Sequence, residues 1–189
     1  PPAYVQRAAE YAAGRVAICT VIGFPNGYNA APIKAAEATH AVLSGAAEID
    51  MVVNIGWVKD EKYDEVLEEI KAVKEACGGK LLKVIIETCM LTDEEKIKLC
   101  EIASEVKPAF IKTSTGFSTG GATVHDVRLM REHVCPEVKV KAAGGIRTAD
   151  AFLDMVRAGA TRIGCSAGIP IIEELKRRFD AEGIDAIEL

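Results

Sequence analysis

Aromatic residues make up only 5% of this 189-residue chain, against 49% hydrophobic residues in all. Its core must be built from aliphatic side chains. Histidine is sparser still. His40, His125 and His133 are the only three, none ends a strand-like run, and no two share metal-ligand spacing, which argues against a zinc centre or a Ser-His-Asp triad. No metal or other cofactor is expected. A C-x-x-C pair is also absent. Cys19, Cys77, Cys89, Cys100, Cys135 and Cys165 lie in or beside apolar segments, and are expected to be free, mostly buried thiols in the reducing cytoplasm. No apolar run approaches the roughly 18 residues needed to span a membrane. The formal net charge of -5 carries no basic footprint for nucleic acid. No signal peptide is visible. The chain starts at Pro1 without a methionine, so further residues are expected upstream.

What is present is a rhythm. Apolar runs rich in valine and isoleucine cover Val16–Phe24, Glu48–Asn54, Leu81–Thr88, Ala109–Ser114, Val138–Ala143 and Ala160–Ser166. Helical patterns separate them. In residues 60–79, Tyr63, Val66, Leu67, Ile70, Val73 and Ala76 keep helical spacing until Gly78 and Gly79 end it. Thr92 followed by Glu95 predicts a capping box for the next helix, and Thr148 a cap for a helix that stops at Gly159. A further helix is expected over about Tyr4–Ala13. Strand–helix units repeated in this way predict an α/β fold with a parallel sheet and right-handed crossovers. The choice lies between an open doubly wound sheet and a (β/α)8 barrel.

Charges inside the strands favour the barrel. Strands covered by helices on both faces read almost purely apolar. Here Asp50, Lys83, Lys112 and Lys141 interrupt four of them. Inside a barrel such groups converge near the carboxyl ends of the strands, where they find partners. Lys139 has a plainer explanation, its stem on apolar surface and its head in water. Lys83 is expected to pair with Glu87 or Asp50, with or without a chemical role.

Lys112, between Phe110, Ile111 and Thr113, invites chemistry. A lysine with its ordinary pKa of about 10.4 is protonated at neutral pH and does not attack a carbonyl. Desolvation and a neighbouring ammonium favour the neutral amine, and Lys112 is expected to have both, through its apolar setting and Lys141 on the following strand. Such an amine forms Schiff bases, whose iminium accepts the electrons of a developing carbanion. Asp50 is placed to move protons, directly or through Lys141 and a water. Gly144 and Gly145 follow one strand, and Gly164, Ser166 and Gly168 the next. Two successive strand–helix junctions of this kind suit a phosphate, although a Gly-Gly pair alone is more often just a turn.

The segments CTVIGFPNG, EIDMVVNIG, LKVIIETCMLTDEEKI, FIKTSTGF followed by GGAT, KAAGGIRT and RIGCSAG stand in this order between Val16 and Gly168. As a set they resemble the deoxyribose-phosphate aldolase family of class I, Schiff-base-forming aldolases. The resemblance implies a (β/α)8 barrel, no cofactor, and the reversible cleavage of 2-deoxy-D-ribose 5-phosphate to D-glyceraldehyde 3-phosphate and acetaldehyde. It makes Lys112 the Schiff-base lysine, Lys141 the second lysine that favours its neutral form, and Asp50 the proton-relay carboxylate. Gly116, Gly144, Gly145, Gly164 and Ser166 match its phosphate positions. Cys165 and Ala167 depart from it slightly.

The resemblance further implies two strands ahead of Pro1, so that residues 1–189 are expected to hold six of eight units of one N-terminally incomplete barrel domain. The expected partners are small sugar phosphates and aldehydes, with a homodimer as a possible assembly. Two other readings stay open: another phosphate-binding barrel aldolase, acting on a keto-sugar phosphate, and an inactive truncated barrel that only binds.

Overall fold

The structure, a computed structural model, describes residues 1–183; the end of the expected 1–189 domain, residues 184–189, lies outside the described residues. Six strands form one parallel sheet: β1 (Cys19–Ile22), β2 (Glu48–Val52), β3 (Leu81–Ile85), β4 (Phe110–Lys112), β5 (Lys139–Ala143) and β6 (Ala160–Gly164). Their order in the sheet is their order in the chain. A doubly wound sheet reverses its strand order at a switch point. The absence of any reversal among the described residues is what a βα barrel requires.

The helices are α1 (Val5–Ala12), α2 (Ala31–Leu43), α3 (Ile55–Lys59), α4 (Tyr63–Ala76), α5 (Asp93–Val106), α6 (Val124–His133), α7 (Ala149–Arg157) and α8 (Gly168–Glu182). Local chemistry sets many of their ends. Thr92 and Glu95 form the expected capping box at α5. Thr123 and Thr148 each accept the backbone N–H three residues on and so start α6 and α7. Asn54 does the same for the short α3, a helix the sequence pattern left unassigned. At the far end of α7, Gly159 takes φ 109°, and a side chain there would press on the Arg131 stem at 2.7 Å.

Alternation along the strands divides the molecule into two interiors. Ile49, Met51, Leu82, Val84, Ile111, Val140 and Ala142 are buried under the helices. The opposite face carries Glu48, Asp50, Lys83, Lys112, Lys141 and Arg162, held together by ion pairs. The strands are shorter than the apolar runs. Val16 is exposed and precedes β1, whereas β3 and β4 keep bonding beyond their ends through Ile86 N–H to Lys112 O and Thr88 N–H to Thr113 O. The cysteines correct one expectation. All six are free, but only Cys77 and Cys100 are buried. Cys77 caps the end of α4 and Cys100 lies within α5, both turned into the core, where burial pushes the thiols up to about 11 and about 12. Cys19, Cys89 and Cys165 stand at an edge or in junctions and are exposed.

Candidate active site

Asp50 is the hub of the inner face. It is 2% exposed on β2. Its Oδ2 accepts from Lys112 Nζ and from Lys141 Nζ, each at 2.8 Å, and its Oδ1 accepts from Lys83 Nζ at 2.7 Å and from the Cys19 thiol at 3.3 Å. β4 and β5 pair Lys112 directly with Lys141, which brings the two ammonium groups to one oxygen. Thr113 fastens the same two strands just above them. Its Oγ1 donates to Ala143 O and accepts from Ala143 N–H, both at 3.1 Å.

A lower tier supports the hub. Lys83 is shared with Glu48 at 2.6 Å, and Glu48 also takes Arg162 at 2.7 Å. The Arg162 guanidinium lies over the Phe110 ring, 4.8 Å from its centroid. Lys83 therefore meets Asp50, one of its two expected partners, but not Glu87. Glu87 stands beyond the end of β3 in a left-handed conformation (φ 54°, ψ 64°) and turns to the loop after β4 instead. That conformation costs a non-glycine residue about 1–3 kcal/mol.

Burial works against the Asp50 carboxylate, but Lys112, Lys141 and Lys83 outweigh it and hold its carboxyl well below the usual range. The lysines divide. For Lys141, burial is the largest influence and lowers its pKa. Asp50 pulls the other way, but the Lys112 charge adds to the lowering, and the result lies below the ordinary lysine value. Burial acts on Lys83 too, but two carboxylates outweigh it and its pKa is raised. Glu48, despite burial, is lowered by Lys83 and Arg162. Cys19 is exposed as a residue, but its sulfur is turned to the crowded inner face, where desolvation first and the Asp50 charge second raise its pKa.

Above Lys112 and Lys141 opens a cleft of about 410 Å³. Gly116, Gly144, Gly145, Gly164 and Ser166, all anticipated, line it together with Cys165, noted in the sequence as a departure among these positions, and with Thr115 and Arg147, which were not anticipated. Gly145 has φ 79° and open space where a side chain would stand. Gly121, in the loop after β4, passes so close to Gly144 that a Cβ on it would lie 2.3 Å from the Gly144 carbonyl oxygen. A Cβ on Gly164 would sit 3.3 Å from Lys141 Cε, so glycine there leaves room for the amine. The first turn of α8, directly after Ser166, has no side-chain cap. Uncapped N–H groups at a helix start favour an anion. Arg147 and Arg162 carried signals that sequence reasoning passed over: a cation directly behind the Gly-Gly-Ile turn, and one more charge interrupting a strand.

Among the described residues one cluster has metal-ligand chemistry: Asp93, His125 and Asp126, between α5 and α6. Its centre is held by Lys96, whose Nζ lies 2.9 Å from Asp93 and 2.7 Å from Asp126.

Fold and site together define a class: a βα-barrel protein with amines gathered at the carboxyl ends of its strands. The pattern of the DeoC/LacD family aldolases matches residues 2–171. A deoxyribose-phosphate aldolase of Clostridium tetani is 60% identical over 162 residues, which cover 85% of this chain and 75% of that one. Another, from Mannheimia succiniciproducens, is 54% identical over 176 residues, 93% of this chain and 79% of that one. Among solved structures, the aldolase QR15 superposes with a TM-score of 0.89 at 44% identity, covering 95% of this chain and 81% of that one. A deoxyribose phosphate aldolase from Aeropyrum pernix, described as tetrameric, does so with 0.84 at 31%, covering 93% and 75%. The chain belongs to the DeoC/LacD aldolase family, whose members are carbon–carbon lyases.

Proposed function

We propose that this protein reversibly cleaves 2-deoxy-D-ribose 5-phosphate to D-glyceraldehyde 3-phosphate and acetaldehyde through a Schiff base on Lys112. The observation that carries the reading is one carboxylate oxygen, Asp50 Oδ2, holding two lysine amines at 2.8 Å beneath a glycine-lined cleft. The Lys112 amine adds to the aldehyde carbon of the open-chain sugar, and loss of water leaves an iminium. A base removes the proton of the hydroxyl on carbon 3. The bond between carbons 2 and 3 breaks, its electrons pass to the iminium, and glyceraldehyde 3-phosphate leaves. The enamine left on Lys112 is protonated at carbon 2, and hydrolysis of the resulting iminium releases acetaldehyde and the free lysine.

The electrostatics divide the proton work. A carboxyl held as low as that of Asp50 is a weak proton acceptor, so its part is to stay ionised and hold the two amines. Lys141, lowered below an ordinary lysine, is better suited to carry a proton to and from the substrate, with a water between them. The phosphate is assigned to Gly116, Gly144, Gly145, Gly164 and Ser166, with the first turn of α8 behind them.

Residues 1–189 are assigned to one barrel domain. Among the described residues no helix is long and apolar enough to cross a membrane. Six free thiols suit a cytoplasmic setting, and a homodimer is the assembly to test by light scattering.

Borohydride reduction in the presence of acetaldehyde tests the central step. One reduced adduct is expected on the peptide containing residues 110–117. Labelling of Lys141 or Lys83 with Lys112 unmodified would overturn the assignment, and cleavage of a keto-sugar phosphate in preference to deoxyribose phosphate would overturn the substrate.

A further inference from the structure

Glu87 is a buried carboxylate that the chemistry above does not use. It is 5% exposed, in a backbone conformation that glycine would adopt more easily. Every partner it has among the described residues is uncharged. The Thr115 N–H donates to Oε1 at 3.2 Å and Oε2 at 3.3 Å, the Thr115 hydroxyl makes a short hydrogen bond to Oε2, and the Cys89 thiol approaches Oε1 at 3.9 Å. Thr115 Oγ1 then accepts from the Phe117 N–H at 3.1 Å. Both neighbours of Gly116 are fixed by this chain of contacts, and Gly116 lines the cleft over the lysines. Thr115 stands between two clefts and lines both. Glu87 borders only the smaller one, of about 180 Å³, together with Pro25, Asn26 and Phe117.

We propose that Glu87 is a positioning residue that fixes the Thr115–Gly116–Phe117 turn in the shape that receives the substrate phosphate, while Thr115 keeps the carboxylate out of the anion's own cleft. The inference rests on the phosphate assignment made under the proposed function. A carboxylate suits this duty because both oxygens accept and neither donates. Glutamine keeps one acceptor for the Thr115 N–H but turns an NH2 donor toward the Thr115 hydroxyl, which must then give up the bond it donates and with it part of the hold on the turn. The local backbone strain is then tied to a binding task, as strained residues near functional sites often are.

The test uses two sugars and one ion. In the purified protein, Glu87→Gln is expected to raise KM for deoxyribose 5-phosphate about tenfold or more, while kcat and the kcat/KM for unphosphorylated deoxyribose change less than about threefold. Its affinity for inorganic phosphate, read by titration calorimetry, falls by a similar factor. Thr115→Val acts in the same direction and Thr115→Ser restores the wild-type values, so the answer does not depend on Glu87→Gln folding. Equal losses on both sugars, or an unchanged phosphate affinity, would overturn the positioning role and leave the aldolase reading intact. Failure of the unmodified protein to release acetaldehyde would defeat that reading instead, and calorimetry would still decide on Glu87.

Discussion

Two of the buried lysine–carboxylate assemblies among the described residues are built to opposite rules. Lys34 of α2 and Glu69 of α4 meet at 2.7 Å with both side chains 0% exposed. The pair is balanced and closed: Lys34 also donates to Val52 O, and Glu69 also accepts the Asn54 N–H. Burial lowers Lys34 and raises Glu69, moving both toward neutrality. On the inner face, two carboxylates (Glu48 and Asp50) serve four cations (Lys83, Lys112, Lys141 and Arg162), and the assembly opens on a cleft. A balanced pair fixes the packing of two helices. An unbalanced set keeps positive charge where an anionic substrate arrives and leaves one lysine below its ordinary pKa.

The contrast breaks most sharply at Lys112. Lys112→Arg keeps the cation on Asp50 but removes the amine, since guanidinium stays protonated. Deoxyribose phosphate cleavage should fall by about 10³ or more and no borohydride adduct should form, while the melting temperature stays within a few degrees. The reverse pattern is expected at the balanced pair. Lys34→Met strands Glu69 in the interior and should cost about 3–5 kcal/mol of stability in urea titration, with kcat little changed in the protein that remains folded. Adding Glu69→Leu should recover much of the loss.

A smaller effect sharpens the role of the open side. Gly145→Asp places a carboxylate in free space beside the cleft, and KM for the phosphorylated sugar should rise about tenfold while free deoxyribose is affected little. The smallest effect is a slope. Because the folded-state pKa of Asp50 is depressed, its stabilisation is fully present above the unfolded value of about 3.9 and is lost as pH falls toward the folded one. In urea titrations below pH 4, wild type should lose up to about 1.4 kcal/mol per pH unit more than Asp50→Asn, whatever the variant's absolute stability. Parallel slopes would show that Asp50 is not held low.

The two assemblies also differ in how far the sequence announced them. Lys112, Lys141, Asp50 and Lys83 were legible because a charge inside a strand-like apolar run has few bland explanations. Capping at Thr92 and Thr148 was legible because it is settled within three residues. The Lys34–Glu69 pair was not. Lys34 lies on α2, a helix the sequence pattern did not single out, Glu69 sits among the many charges of α4, and the two meet across 35 positions of chain. Of the two partners expected for Lys83, Glu87 is the one the structure turns away, because its direction depends on a left-handed turn that neither of its neighbours signals. Lys139, two residues from Lys141, is exposed as its plain reading had it.

Sheet order that follows chain order has a consequence for how the protein is made. Each strand pairs with one laid down about thirty residues earlier, so every pairing closes a modest loop. The chemical centre does not share this economy: Asp50 and Lys141 are 91 positions apart. Synthesis proceeds from the N-terminus, so β2 can settle against β3 while β5 is still unmade. During that interval the Asp50 carboxylate lacks Lys141, and the cleft above it lacks Gly144 and Gly145. Nascent chains halted before residue 139 should therefore gain protease protection over β2 and β3 yet trap no acetaldehyde under borohydride. Folding order thus places completion of the amine cluster after that of β2 and β3, because Lys141 arrives only with β5.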